Sequence, residues 1–559
     1  MRSLVRTALP LLALLAAAAV ACGGDDHRSS SGDPGGAGAG PGSGAGSGTS
    51  GGGGTEVPPT PEALCDPPVQ PADVSAPTAV VGTGTPESCT AAELEAAIGA
   101  GGVIVFDCGP DALTLSLDHA LEITVDTVVD GGGLVTLSGG DATRIFELDT
   151  GNFEATSPTL TVQRLTLTRG RATGTPIPLG TETDGGGGAI YHLGGTVIVI
   201  DSVFTDNTCA EEGPDVAGGA IYGIGAGETV VVGSTFAGNR GANGGAIGAL
   251  GTALTIVNST LSGNTATGYG ANYVDGNGQQ AGRGGNGGAI VMDGQGRPLS
   301  ICGTTVRNNT GGAFGGALFR TGYQTEPTTI DRSVFADNTV LDREDDLPSG
   351  AGGLYIQGTH VTMTASTIAG NAAGASGGLW ILGHGPAPAV ADLTNVTLAQ
   401  NRTHPREDFT TRGIGGALTI GDNTTGTLLN CTIAGNAAQF ASGIVGVSSL
   451  VVRNTIISNE ADNQYTPLNC MGTNYNNPPG SGDRNLQWPT GPQDDMDCTP
   501  GITRADPRLG ALQDNGGPVP TMVPASDSPV LGAGAECPST DARGEPRDPG
   551  VCALGAYEP

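Results

Sequence analysis

The sequence contains no lysine, so its positive charge comes from 23 arginines alone. Against 55 acidic residues these give a formal net charge of −32. Such a chain should repel nucleic acids and anionic membrane surfaces, and we predict no nucleic-acid partner. Aromatic residues make up only 4% of the 559 residues, too little bulk for large helices packed around aromatic cores. The 98 glycines instead favour thin β-layers joined by many turns.

The beginning of the chain is predicted to be an export signal, residues 1–21. Its apolar stretch Leu9–Val20 follows two arginines and is too short to span a bilayer. The sequence Ala19–Cys22 resembles a bacterial lipobox, which implies that Cys22 carries acyl chains and begins the mature protein. An ordinary secretory signal cleaved near Ala21 is the alternative.

Residues 22–60 consist almost entirely of Gly, Ser, Asp, Pro and Ala. Such a segment cannot bury apolar surface, so we predict a disordered tether between the lipid and the folded part. The resemblance to lipoproteins implies a bacterial cell envelope location, as an outer membrane lipoprotein that is surface-exposed or extracellular. The membrane would be contacted through the acyl chains of Cys22 alone.

Ten cysteines follow Cys22, and export to an oxidising compartment favours disulfides. Sequence alone does not fix their connectivity, but we favour the closest flanking pairs: Cys89 with Cys108, Cys470 with Cys498, and Cys537 with Cys552. This leaves Cys65, Cys209, Cys302 and Cys431 without a predicted partner.

One sequence motif recurs nine times between about residues 187 and 459. It opens with a glycine pair and an apolar pair and closes on an asparagine: Asn207, Asn239, Asn264, Asn309, Asn338, Asn371, Asn401, Asn436 and Asn459. The residue three positions earlier is always apolar, ending with Ile433 and Ile456. The residue eight positions earlier is also apolar, ending with Leu428 and Val451.

Alternation such as Leu254-Thr-Ile256 indicates short β-strands, which cannot form a core alone. If the coils stack, each position becomes a column, and a column that is apolar in every copy faces inward. A column of asparagines belongs at a tight bend, where the amides can bond the backbone and each other. The sequence therefore predicts an all-β parallel β-helix over residues 103–465. Residues 61–102 would precede it, with a helix near Cys89–Ile98 capping the open end of the stack.

The interval between each asparagine and the next glycine pair alternates between long and short. The extra length therefore falls at one corner of every second coil, and the longest insertions are 265–286, 339–351 and 402–414. They are either tolerated surface loops or an edge that meets a partner.

The repeats, such as Phe204-Thr-Asp-Asn207, resemble those of polymorphic outer membrane proteins. The C-terminal region, residues 466–559, resembles that of choice-of-anchor Q proteins through "DPRLGALQDNGGP" and "DPGVCALGAYEP". The resemblance covers about Cys89–Pro559. It implies a right-handed parallel β-helix with a short N-terminal capping helix and a loop-rich C-terminal region, exported and without an established catalytic site.

Polysaccharide lyases and hydrolases also use the β-helix, so the sequence must be weighed for their catalytic residues. The best alternative site is the coil with Arg320, Glu326, Asp331 and Arg332. Calcium, the one cofactor we weigh, would need clustered carboxylates, and the candidates are Asp342, Glu344, Asp345 and Asp346. His384 is a lone match to a catalytic histidine. Tyr355 and Trp380 share one repeat column and serve either packing or a sugar platform.

We therefore expect a monomeric, non-catalytic surface protein with an adhesive or structural role, whose partner is a cell-surface or matrix polysaccharide or protein. The alternative is a carbohydrate-active enzyme or a lectin-like module.

Overall fold

The computed structural model describes residues 64–559 except 173–184, 343–346, 348, 405–412, 447–448, 460–467, 473–477 and 491–494. The predicted signal peptide, Cys22 and the tether lie outside the described residues. Strands pair in parallel with their equivalents in the next coil, as in Ile221–Ile224 against Ile247–Leu250. The chain is thus a parallel β-helix, and the fold-class prediction is confirmed.

Each coil has up to four short strands, which we call faces a, b, c and d in chain order. Faces a and b belong to one 24-stranded sheet. Face a comprises Leu121–Glu122, Phe146–Asp149, Ile190–Leu193, Ile221–Ile224, Ile247–Leu250, Ile290–Asp293, Leu379–Leu382, Leu418–Ile420, Ile444–Gly446 and Cys470–Gly472. Face b comprises Ala79–Val81, Gly102–Phe106, Thr127–Asp130, Thr159–Gln163, Thr196–Ile200, Glu228–Val232, Ala253–Val257, Leu299–Cys302, Ala389–Thr394, Thr424–Leu429, Leu450–Arg453 and Gly480–Ser481. Leu318–Asp331 and Leu354–Thr364 run through both faces.

Face c is a 14-stranded sheet. It comprises Leu113–Ser116, Val135–Ser138, Thr166–Thr168, Val203–Thr205, Thr235–Ala237, Thr260–Ser262, Thr305–Arg307, Val334–Ala336, Thr367–Ala369, Thr397–Ala399, Thr432–Ala434, Ile456–Ser458, Leu486–Trp488 and Thr503–Arg504. Face d, at the variable corner, comprises Arg240–Gly241, Thr265–Ala266, Thr310–Gly311, Thr339–Val340, Ala372–Ala373 and Arg402–Thr403. A hairpin, Leu509–Gln513 with Thr521–Pro524, follows the stack.

The core is one continuous column of apolar side chains inside the coils, from Val81 to Cys498. Equivalent residues stack directly: the rings of Phe204 and Phe236 are parallel, with centroids 4.6 Å apart. The predicted inward columns are buried in the first eight repeats.

In the last repeat, two of the predicted inward positions are wrong. Val451 is 41% exposed, and Val452 pairs with Leu428 in the inward column. Likewise Ile457, not Ile456, pairs with Ile433. The earlier coils place a residue with positive φ immediately before the asparagine, such as Gly263 at φ 66°, and the last coil has one residue fewer there. Counting back from Asn459 therefore predicts each inward residue of the last coil one position too early.

The closing asparagines form the predicted ladder. All nine are buried. In Asn264, for example, the side-chain nitrogen Nδ2 donates to Phe236 O at 3.1 Å, one coil back, and to Asn309 Oδ1 at 2.9 Å. The same two kinds of bond recur from Asn207 to Asn436. The ladder supplies the buried bend with donors and acceptors that its backbone would otherwise lack.

The N-terminal end is covered by helix α1, Ala91–Ala100, which begins after a Thr90 cap and buries Leu94 and Ile98 on the first coils. A short 3-10 turn, Pro86–Ser88, precedes it. The parallel stack starts at Ala79 and ends at Arg504, so it is longer at both ends than the predicted 103–465. No helix of the described residues has the length and apolar character needed to cross a membrane.

The structure joins the three predicted cysteine pairs and adds one that was not foreseen. The predicted bridges are Cys89–Cys108, Cys470–Cys498 and Cys537–Cys552. The fourth, Cys65–Cys302, joins residues 237 positions apart in sequence. Cys209 and Cys431 are free and buried, and burial raises the pKa of each thiol to about 12.

Both terminal segments pack outside the corner between faces b and c. The bend residues Asn395, Asn430 and Asn454 donate side-chain hydrogen bonds to the carbonyls of the C-terminal tail, for example Asn395 Nδ2 to Thr540 O at 2.9 Å. The N-terminal segment is held farther along the same corner by Asn258. The tail from residue 505 onward therefore packs against the outside of the β-helix.

Candidate binding surface on face a

The outer side of face a carries a column of mostly large apolar residues, interrupted by Gly248 and Thr419. Strand residues point alternately inward and outward, so the neighbour of each core residue in these strands lies outside. The column, in register from coil to coil, is Tyr191, Tyr222, Gly248, Val291, Phe319, Tyr355, Trp380, Thr419, Val445 and Met471.

The insertions at the variable corner fold back over the first part of this column. Tyr222 is 2% exposed, and its hydroxyl donates to Asp215 O at 2.6 Å. The Asp215 carboxylate accepts a hydrogen bond from Asn272 of the next long insertion. The loops therefore cover one stretch of face a and contact each other across the short coil between them.

Farther along, four rings form what we call the aromatic row: Phe314, Phe319, Tyr355 and Trp380. Phe319 and Tyr355 stack in parallel with centroids 5.3 Å apart, and Tyr355 meets Trp380 edge-on at 5.4 Å. Phe314 lies 4.7 Å from Tyr355. Tyr355 is nearly buried, whereas the other three rings are half-buried. The predicted shared column of Tyr355 and Trp380 is confirmed. The two rings pack against each other, and part of the Trp380 ring remains exposed.

A polar cluster, which we call the corner cluster, lies where face a turns into face b: Asp293, Tyr323, Glu326 and His384. Tyr323 is 42% exposed, and its hydroxyl donates to Asp293 Oδ2 at 3.0 Å. The His384 ring meets the Tyr323 ring edge-on at 5.0 Å. Beside it, Gln357 Nε2 donates to Thr321 Oγ1 at 2.9 Å.

Burial shifts the pKa values of the ionisable groups in this cluster. It raises the pKa of Asp293 to about 6, and the nearby Asp215 carboxylate adds to the rise. Asp293 Oδ1 is buried without a hydrogen-bond partner, which favours the neutral form. Burial opposes ionisation of Glu326, but backbone N–H donors, including Gly296 at 2.7 Å, prevail and lower its pKa. Burial lowers the pKa of His384.

The predicted catalytic coil does not form one site. Arg320 is fully buried inside the helix, where it donates to Thr321 O at 2.8 Å and Arg297 O at 2.6 Å. Asp331 ends face b and Arg332 follows at the b–c corner, with Arg332 Nε 2.7 Å from Asp331 Oδ2. Only Glu326 reaches the corner cluster, because it lies where face a turns into face b, whereas Arg320 points inward from face a and Asp331 ends face b. Sequence reasoning missed Tyr323 and Asp293, which no motif marks.

The calcium prediction rests mainly on residues outside the described part: Glu344, Asp345 and Asp346. Asp342 is described and exposed. Among described residues, one group of metal-type ligands lies close together, Cys65, Cys302 and Asp331. Its two sulfurs are joined in a disulfide, which leaves a single carboxylate and no thiolate for a metal.

An open cleft of about 530 Å³ lies between the last coils and the C-terminal region. Its lining includes Trp488, Asp506 and Arg508. Trp488 is half-buried and is the second of the two tryptophans in the chain.

No protein-family model matches the chain, and no curated protein matches it in sequence. Among solved structures it is similar to the crystal structure of Dettilon tailspike protein (gp208), with 12% sequence identity and a TM-score of 0.24. The match covers 71% of this chain and 62% of the tailspike, so the chain spans less than two thirds of that protein's length.

Proposed function

We propose that this chain is an exported β-helix protein that binds a cell-surface or matrix polysaccharide without cleaving it, held to the cell envelope through an acylated Cys22. The aromatic row with its polar corner cluster is the observation that carries this proposal. The resemblance to choice-of-anchor Q proteins and to lipoproteins supports the export and the anchor.

The aromatic row suits a linear polymer. Neighbouring strands of a sheet lie about 4.8 Å apart, so a polymer along the helix axis would meet the half-buried rings of Phe319 and Trp380, which flank the nearly buried Tyr355. The apolar C–H faces of a sugar can pack on such rings, and its hydroxyls need polar partners close by. Tyr323, His384 and Gln357 supply these at the edge of the row.

The position of the row also fits a tethered protein. The described chain starts at Leu64 beside the b–c corner, where Asn258 Oδ1 accepts its backbone N–H. In the cyclic order of the faces this corner lies across the coil from the d–a corner, beside which the aromatic row begins. A ligand on the row would therefore lie on the side of the coil opposite Leu64.

A polysaccharide hydrolase is the second candidate, because Asp215 and Asp293 are neighbouring carboxyls whose pKa values burial raises. A carboxyl held neutral is what a general acid needs. However, Asp293 Oδ1 is buried and Oδ2 is occupied by the Tyr323 hydroxyl. Neither oxygen is free to protonate a glycosidic bond, which favours binding over cleavage.

The test is a glycan array probed with the purified full chain, followed by affinity measurements and product analysis on the best polysaccharide. Trp380→Ala should weaken binding about tenfold, as expected for loss of an aromatic contact. Phe153→Ala is the matched control, because Phe153 is 40% exposed and lies outside the aromatic row. Its affinity should be unchanged, and the polysaccharide should keep its length. Equal losses in both variants, or released fragments, would refute the proposal.

A further inference from the structure

We propose that tension on the N-terminal tether enters the β-helix at its middle coils through the Cys65–Cys302 bridge and leaves the N-terminal coils unloaded. Its use in the cell rests on the proposed anchoring, but the mechanical property belongs to the folded chain itself. Residues 64–78, which we call the strap, carry the inference.

The start of the strap is fixed at four points. Asn258 Oδ1 accepts the backbone N–H of Leu64 at 3.1 Å and of Cys65 at 3.0 Å, and Asn258 Nδ2 donates to Cys65 O at 2.7 Å. Arg332 donates to Leu64 O at 2.6 Å. The disulfide to Cys302 lies between these two partners along the helix axis.

From there the strap runs outside face b toward the N-terminal end of the stack, against the direction in which the coils follow one another. Val69 packs on an apolar patch made of Ile198, Ile200, Val230 and Val232. Ala72 exchanges two hydrogen bonds with Gln163, at 2.8 and 3.2 Å. Only then does Ala79–Val81 form the first strand of the stack, paired with Gly102–Phe106.

Without the bridge, this route would be the weak point of a tethered protein. A pull on residue 64 would peel the strap, whose hydrogen bonds contribute only about 1 kcal/mol each, one contact at a time. It would then reach the first strand of the stack, the place where a solenoid unravels coil by coil. The disulfide instead passes the force to Cys302, and the covalent loop between the two cysteines, 237 positions apart, is bypassed.

The bridge also shortens the path to the aromatic row. Cys302 and Asp293 belong to one coil, and Phe319 and Tyr355 belong to the next two. Force between the tether and a ligand on the row would therefore pass through these three coils and would not reach the N-terminal coils.

The test is single-molecule pulling on the full chain, with one handle at the N-terminus and the other on an exposed thiol introduced by Gln324→Cys. Every molecule also carries Cys22→Ser, and the buried thiols of Cys209 and Cys431 should not take the handle. With the bridge intact, the path from Cys65 to position 324 is short, and the only large extension should come from residues before 64. In the variant that also carries Cys65→Ser and Cys302→Ser, the same force should release up to roughly 900 Å more chain.

The control carries Cys89→Ser and Cys108→Ser, whose bridge lies off the proposed force path, and it should behave as the intact protein does. If the Cys65/Cys302 variant does not fold, a bridged molecule is held at constant force while reductant is added, and the same lengthening should follow. Lengthening of several hundred ångströms with the bridge intact would overturn the proposal, as would no lengthening after its reduction. Glycans take no part, so this outcome is independent of the ligand-binding proposal.

Discussion

The backbone N–H and the side-chain Nδ2 of Asn264 both donate to Oδ1 of Asn309, each at 2.9 Å. One carboxamide oxygen thus satisfies two donors of the neighbouring coil. The same arrangement links successive coils along the ladder. The Oδ1 of each asparagine accepts hydrogen bonds from the asparagine of the preceding coil, and its own N–H groups donate to the asparagine of the following coil.

Replacing Asn264 by leucine should therefore be costly. It removes the Nδ2 donor to Phe236 O and leaves the backbone N–H of Asn239 without its acceptor, at about 1–3 kcal/mol for each lost interaction. Chemical denaturation should show this loss in the free energy of unfolding. Ser262→Ala is the control two residues away, and it should change stability by less than about 0.5 kcal/mol. Equal sensitivity at both positions would contradict the ladder.

The pH dependence of stability should contain two opposing contributions. Burial lowers the pKa of His192 to about 4, so the unfolded chain binds a proton that the folded one refuses, and stability falls as pH drops from about 6.5 to 4. Asp293, with its pKa raised to about 6, holds a proton in the folded state and contributes stability that is lost as pH rises through 6. Each contribution is worth about 3 kcal/mol at most.

Asp293→Asn should remove the second contribution and leave the first. Between pH 6 and 4 the variant should lose stability more steeply than the unmodified protein, in urea unfolding series at matched pH values. His192→Asn is the companion variant and should show a shallower fall. Identical pH slopes for the unmodified protein and Asp293→Asn would rule out the raised pKa.

In the insertion at 265–286, we expect the base to contribute to the stability of the fold and the tip to contribute little. Arg283 N donates to Tyr269 O at 2.6 Å, which closes the loop, and Asn272 binds the Asp215 carboxylate, so residues 273–281 can be replaced by two glycines. The melting temperature should stay nearly unchanged because closure entropy varies slowly with length. Removing 267–286 entirely should lower it, since Asn286 N bonds Asn243 Oδ1 and Gly285 N bonds Ala242 O. Equal melting temperatures for both deletions would contradict this division.

The anchor prediction concerns Cys22, which lies outside the described residues. Cys22→Ser should abolish acyl labelling of the expressed protein and release it from membranes. Cys65→Ser is a suitable control, because Cys65 engages Cys302 and should leave labelling intact. Labelling that persists in Cys22→Ser would exclude the lipoprotein interpretation.

Sequence could predict the columns of the stack because each depends on local spacing. Apolar residues at fixed distances from the asparagine, such as Leu261 before Asn264, follow directly from a coil of constant path. The same reasoning was wrong at Val451 because the last coil is one residue shorter. A deletion at a bend leaves the apolar pattern almost intact, so no local signal revealed it.

The strap and the corner cluster could not be predicted because they depend on contacts between distant parts of the chain. No pattern near Cys65 points to Cys302, and sequence reasoning preferred close flanking pairs. Tyr323 and Asp293 belong to different coils, and their contact depends on how face a turns into face b. The covering of Tyr222 by the insertions likewise depends on the direction in which each loop folds.

The most direct test of polysaccharide binding at the aromatic row is intrinsic tryptophan fluorescence, because the chain has two tryptophans on two different surfaces. Trp380 belongs to the aromatic row and Trp488 to the C-terminal cleft. Titrating the best polysaccharide from the array should change the emission of Trp488→Phe as it does in the unmodified protein, and should leave Trp380→Phe without response. A response that survives in Trp380→Phe and disappears in Trp488→Phe would contradict the account and place the ligand in the cleft.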